Sequence, residues 1–221
     1  MRRSRFVVNS IIASCLWSSF AHAGESPFIT PSPYLQAPDS PFSRYGGYLE
    51  DFEDGILNTL GLSANAGRVL SPAFNVDSVD ADDGSIDGSG NGGHSWFVFG
   101  SAGILTFTFD AVALDGLPTW AGLVWTDGRD DIVFKAFDSE GQLIGSITNS
   151  SSDGSPYGQT GEDRFYGLQY ESGISAISIW NTQNVAMEVD HIQYGGFIPA
   201  PSSLMAVSIM GLITSRRKRR A

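Results

Sequence analysis

The sequence predicts an all-β fold, an antiparallel β-sandwich or jelly roll, and three observations carry that prediction. From Gly46 onward, short runs of β-branched and aromatic residues alternate with clusters of glycine, aspartate and asparagine. No segment sustains a 3.6-residue apolar period over several turns, which is what a packed helix would need. The run Gly103-Ile104-Leu105-Thr106-Phe107-Thr108-Phe109 sets Leu105, Phe107 and Phe109 on one face and Thr106 and Thr108 on the other, the signature of a half-buried strand.

The elements follow in chain order. An opening strand is expected around Tyr48 to Phe52, and Gly55 to Leu62 is too short and glycine-flanked to be more than a turn. Strands are expected at Ser95 to Phe99, at 103–109 and at Trp120 to Trp125. Asp131 to Phe137 and Gln142 to Thr148 flank Asp138-Ser139-Glu140-Gly141, whose glycine can take the positive φ of a short hairpin loop, so these two should pair antiparallel. Arg164 to Tyr170, Ile174 to Trp180 and Met187 to Tyr194 complete about nine strands, a number that suits a sandwich or jelly roll. Two long loops, 78–93 and 149–161, should gather at an end of the sandwich, where binding sites form.

The ends of the chain differ from this body. Arg2, Arg3 and Arg5 precede a mostly apolar stretch from Phe6 to Phe20, and Ala21-His22-Ala23 supplies a small-x-small pattern. This pattern predicts a signal peptide, with signal peptidase cutting between Ala23 and Gly24, rather than an uncut membrane anchor. Its apolar region is short of the roughly 20 residues a spanning helix needs. Cys15, the only cysteine, lies within it, so the mature fold cannot rest on disulfides. Pro27, Pro31, Pro33, Pro38 and Pro41 then mark residues 24–45 as an extended linker or an arm along a sheet edge.

At the other end, Pro199-Ala200-Pro201 precedes an apolar run from Leu204 to Ile213 and the cluster Arg216-Arg217-Lys218-Arg219-Arg220. This order of turn, short apolar sorting helix and basic stop resembles the PEP-CTERM sorting tail of exported bacterial proteins, with alanine in the place of the motif's glutamate. The resemblance covers residues 198–221. It implies transient inner-membrane contact through the tail, cutting by an exosortase-type membrane protease, and delivery to the cell surface or the extracellular polysaccharide. The chain thus divides into a signal peptide at 1–23, a proline-rich segment at 24–45, a sandwich domain at 46–197 and a sorting tail at 198–221.

Charge is partitioned the same way. All 24 acidic residues lie in the body, where the only strong cations are Arg44, Arg68, Arg129, Lys135 and Arg164. A surface with no basic stripe cannot neutralise phosphates, which excludes nucleic acid as a partner. Divalent cations are its natural counterions, although acidity also serves solubility alone.

Two acidic groupings suit calcium, which takes six to eight oxygens at relaxed geometry. One is the glycine-interleaved loop holding Asp77, Asp80, Asp82, Asp83 and Asp87; counted from Asp80, its twelfth position is Asn91, so it is not an EF-hand. The other joins the domain's ends, with Glu50, Asp51, Glu53 and Asp54 opening the first strand and Glu188 and Asp190 in the closing one. That arrangement resembles jelly-roll carbohydrate-binding modules, in which an early acid and a closing-strand aspartate hold a structural calcium ion. Trp96 beside the glycine-rich loop and Tyr157 in the serine-rich loop are candidates to stack on sugar rings, whereas Trp125 and Trp180 fit the core. No Gly-x-Ser-x-Gly elbow occurs, and no other catalytic constellation stands out. The expected function is an exported, non-catalytic polysaccharide-binding or structural protein; the alternative is a secreted polysaccharide hydrolase using paired carboxylates.

Overall fold

The computed structural model describes residues 26–100, 103–155 and 157–198, so the signal peptide with its Ala23–Gly24 cut and the tail with Pro199, Ala200 and Pro201 lie outside the described residues. Twelve strands form: β1 (Ser32–Pro33), β2 (Tyr48–Glu50), β3 (Leu62–Ala64), β4 (Arg68–Leu70), β5 (Ser95–Val98), β6 (Leu105–Phe109), β7 (Trp120–Asp127), β8 (Asp131–Asp138), β9 (Leu143–Ser150), β10 (Arg164–Gln169), β11 (Ile174–Asn181) and β12 (Met187–Gly195). Each of the nine expected strands is present. The three further ones, β1, β3 and β4, are two or three residues long, too short to show an alternation in sequence. Among the described residues, no helix is long and apolar enough to cross a membrane.

The strands build two antiparallel sheets. The larger runs β1-β10-β7-β12-β5-β4, with β2 also paired to β12, and the smaller runs β3-β6-β11-β8-β9. Between them lies the main core, where Leu105, Phe107 and Phe109 of β6 meet Leu123 and Trp125 of β7, Ile132 and Phe134 of β8, and Ile177 and Ile179 of β11. The alternation read in β6 is therefore a true core face. The hairpin between β8 and β9 closes as expected: Asp138 N–H donates to the Gln142 carbonyl at 2.9 Å, and Gly141 takes φ +73°.

The proline-rich segment is the arm of the two alternatives. β1 pairs with β10, Phe28 bridges Leu168, and Tyr34 and Phe42 join Val79, Trp120, Val124 and Phe165 in a second apolar cluster on the outer face of the larger sheet. That cover explains why β12 is buried at all nine of its residues. A strand covered on both faces loses its two-residue polarity pattern. Polar side chains of β12 are consequently buried as well, and they need partners.

Candidate functional site

The chemistry gathers at one end of the larger sheet, where the 77–94 loop, the ends of β7 and β12 and the turn before β10 meet. Two features of the local chain put it there. A β-bulge between Asp190 and Gln193, with His191 at φ 45°, interrupts the pairing of β12 with β7. Neighbouring strand residues normally face opposite ways, but a bulge re-aims a side chain. Asp190 and His191 accordingly both reach the segment that carries Val79 and Asp82: Asp190 Oδ2 accepts from Val79 N at 3.0 Å, and His191 Nε2 lies 3.0 Å from Asp82 Oδ1.

Asp82, Asp190 and His191 place one ligand atom each within 4.8 Å of one another, so a metal could be held there. Protein hydrogen bonds complete most of this network, while Asp82 Oδ2 stays buried without a partner. Ser40 donates to Gln193 Oε1 at 2.5 Å, Gln193 Nε2 donates to Tyr34 Oη at 2.9 Å, and Tyr34 Oη meets His191 Nδ1 at 2.8 Å. With the tyrosine hydroxyl donating to Nδ1, Nε2–H faces Asp82. Burial and the Asp82 charge push Asp190 well above the usual carboxylate range.

The other sequence-predicted acids are mostly engaged. Glu50 accepts backbone N–H from Phe52 at 3.1 Å and from Asn58 and Thr59 at 3.0 Å each, so its oxygens pin the chain after β2. Glu53 accepts from His94 N at 2.6 Å, and its other oxygen lies 3.3 Å from His94 Nδ1. Asp80 gathers N–H from Asp87, Gly88 and Ser89 at 3.1 to 3.3 Å and the Thr160 hydroxyl at 3.1 Å, an anion seated in a turn. Asp83 and Asp87 are exposed and hold Ser85 and Ser89. Glu50 and Asp80 thus both serve the backbone around them.

Of the acids whose demands remain open, the sequence points to Asp77 and Asp82 in the acidic loop but not to Asp163. Asp163, just before β10, is 0% exposed, and neither of its carboxyl oxygens has a hydrogen-bond partner. Asp77 is buried with Oδ1 likewise unpartnered. Around them stand Glu162, Glu188 and Asp127; Glu188 Oε2 accepts from Asp77 N at 2.8 Å and from the Ser95 hydroxyl at 2.5 Å. Burial, reinforced by neighbouring carboxylates, pushes Asp77 up to about 9, Glu162 to about 8, Glu188 to about 7 and Asp127 to about 6. Asp163 is raised well above its ordinary value for the same reasons. Gly90 is part of the construction, because a Cβ there would lie 2.4 Å from Asp77 Oδ1 and 2.2 Å from the Ser78 carbonyl. The loop approaches Asp77 this closely only without a side chain.

Beside this acid-rich end opens a cleft of about 400 Å³ lined in part by Asn75, Phe97, Asp127, Arg129, Tyr157 and Glu188. Tyr157 is 50% exposed, and its ring centroid lies 5.1 Å from that of Phe74, itself 72% exposed. Trp96 requires a correction. It is only 8% exposed, its ring lies against Phe52 and Phe107, and its Nε1 donates to the Ala66 carbonyl at 3.0 Å. The strand pairs that flank it turn the indole inward, so no face is left for a sugar. Trp125 is fully buried, whereas Trp180 is half-buried on the outer face of the smaller sheet with Lys135 Nζ 4.7 Å from its ring centroid.

No protein-family model and no curated protein matches the sequence. Among solved structures, the fold is similar to TmCBM61 in complex with β-1,4-galactotriose, at 16% identity over 67% of this chain and 97% of that one, with a TM-score of 0.36. It is similar to the CBM22-1–GH10 modules of Clostridium thermocellum xylanase 10B complexed with xylohexaose, at 14% identity over 69% of this chain and 28% of that one, TM-score 0.41. A third likeness is to the enzymatically active domain of bacteriophage CBA120 tailspike protein 4, at 14% identity over 67% of this chain and 21% of that one, TM-score 0.34. This chain thus spans nearly all of the first and less than a third of the other two.

Proposed function

We propose that this chain is an exported, non-catalytic β-sandwich that binds extracellular polysaccharide through the cleft at the acid-rich end of its larger sheet. The observation that carries the reading is the exposed pair Tyr157 and Phe74, two ring faces at the lip of a groove that also offers Asn75, Asp127 and Arg129. Aromatic faces bury the apolar C–H faces of sugars, and the polar groups beside them can bond hydroxyls. Export rests on the leader ending at Ala23 and on the tail around Pro199-Ala200-Pro201, with signal peptidase and an exosortase-type protease as processing partners. The test is binding of soluble polysaccharides by affinity electrophoresis and glycan array. Tyr157→Ala and Phe74→Ala should each weaken binding about fivefold or more with melting unchanged, since stacking a sugar on one ring is worth on the order of 1 kcal/mol or more. Unchanged binding in the double variant would overturn the reading.

A second reading, a polysaccharide hydrolase, is favoured by one observation. Asp127 and Glu188 face each other in register across β7 and β12, both line the cleft, and both are raised toward neutrality by burial. Release of reducing ends by the wild type, lost in Asp127→Asn or Glu188→Gln, would establish it in place of simple binding.

A further inference from the structure

The carboxyl group of Asp163 poses a problem that protein atoms do not solve. It is wholly buried, neither oxygen receives a hydrogen bond, and its near neighbours include Asp77, Glu162 and Asp80. A buried carboxylate without donors is costly, and acids crowded without a base make it more so. The flanking Arg164 does not discharge it, because its Nη1 donates to the Gly161 and Asp163 carbonyls at 3.2 and 2.7 Å. Among the described residues, the only ion pairs are those of His94 and His191, both outside this nest.

Two more unsatisfied oxygens belong to the same neighbourhood. Asp77 Oδ1 is buried without a partner, and so is Thr126 Oγ1. The antiparallel register that sets Arg164 opposite Trp125 brings Asp163 level with Thr126. The nest therefore offers two carboxylates and a hydroxyl, with backbone carbonyls in the Gly90–Gly158 contact nearby and no nitrogen or sulfur ligand. Hard oxygen donors without imidazole or thiolate select a cation of the calcium class over the first-row transition metals.

We propose that Asp163 and Asp77, with Thr126 beside them, bind a calcium ion that ties the start of β10 to the 77–94 loop. The ion would neutralise Asp163, which lacks donors altogether, and Asp77, whose Oδ1 is open, and hold in place the loops that shape the neighbouring cleft. This site shares only Asp77 with the two calcium groupings suggested by the sequence, and centres on Asp163, which belongs to neither. Glu50 accepts three backbone N–H groups, Asp80 accepts backbone N–H groups and the Thr160 hydroxyl, and in the Asp82–Asp190–His191 trio only Asp82 Oδ2 is unpartnered, against both oxygens of Asp163. The ion site also stands independently of what the cleft binds.

The test uses the full-length protein stripped with EGTA, then titrated with calcium chloride alone by calorimetry and followed by thermal melting. Calcium should bind at one site and raise the melting temperature by several degrees, with magnesium giving a much smaller shift. Asp163→Asn should weaken calcium binding at least tenfold and abolish the shift. Because it removes a buried like charge, the same variant should melt in EGTA at or above the wild-type temperature, which a variant that merely damages packing would not do. Asp77→Asn should weaken binding less, since only Oδ1 of that residue is open, and Asp83→Asn, on the exposed loop, should leave it intact. No calcium binding by the folded wild type would overturn the proposal. So would an Asp163→Asn protein that keeps the full calcium shift.

Discussion

Replacing Glu50 separates two roles that a carboxylate in the opening strand can play. Its oxygens accept three backbone N–H groups, from Phe52, Asn58 and Thr59, at 3.0 to 3.1 Å. Hydrogen bonds to a charged group contribute about 1.5–3 kcal/mol each, and a donor left buried costs about 1–3 kcal/mol. The Asn58 and Thr59 amides lie in a part-exposed turn where water can replace the lost acceptor, whereas Phe52 is completely buried. The three bonds therefore do not add in full. Glu50→Ala should cost roughly 4 kcal/mol, with the Phe52 amide contributing the largest share. For a domain of this size that is a fall of about 8–16 °C in melting temperature. Glu50→Gln keeps one acceptor but turns an NH₂ group toward donors, so it should lose roughly half as much. The assay is unfolding of the full-length protein by circular dichroism, in EGTA and again in millimolar calcium. Because the partners are amides, the loss should be the same in both buffers. A penalty below about 1 kcal/mol, or one present in calcium and gone in EGTA, would refute the reasoning and make Glu50 a metal ligand after all.

Trp96→Ala should destabilise by about 3–5 kcal/mol, measured by urea unfolding, while the folded fraction binds polysaccharide as the wild type does. Tyr34→Phe removes the hydroxyl shared by His191 and Gln193 and should cost about 1–3 kcal/mol by the same measurement, with no effect on calcium binding. Gly122→Ala would set a Cβ 2.3 Å from the Phe165 ring and 2.6 Å from the Tyr166 carbonyl; the ring can yield and the carbonyl cannot, so a loss of about 1–3 kcal/mol is expected in thermal melts.

How far the sequence reaches depends on how local each signal is. The β6 alternation and the Gly141 hairpin are decided by neighbouring residues, and both are legible. β1, β3 and β4 exist because a partner strand offers an edge, which a two- or three-residue run cannot announce. The Tyr34–Phe42 arm is half legible: its prolines suit an extended path, but the cluster it completes with Phe165 and Trp120 is a tertiary fact. The site was harder still. Glu162-Asp163-Arg164 reads as an ordinary charged turn, and nothing in it shows that Asp163 points inward. The one available signal is that a charged triplet runs directly into the apolar Phe165-Tyr166 of a predicted strand. Asp127 and Glu188 lie far apart in sequence and meet only through the β7–β12 register. Trp96 misled for the converse reason, since a glycine-rich neighbour suggests exposure while the strand pairing turns the ring inward.

The position of β12 bears on when this fold can come into being. Along the larger sheet it alone joins β7 on one side to β5 and β2 on the other. Before residues 187–195 arrive, the sheet exists only as separate pieces: β1-β10-β7, the β4–β5 ribbon and an unpaired β2. A chain emerging N terminus first holds those pieces apart until nearly all the domain has appeared, and pairings of such long sequence separation form slowly. The larger sheet can therefore become continuous only once β12 has paired at its centre.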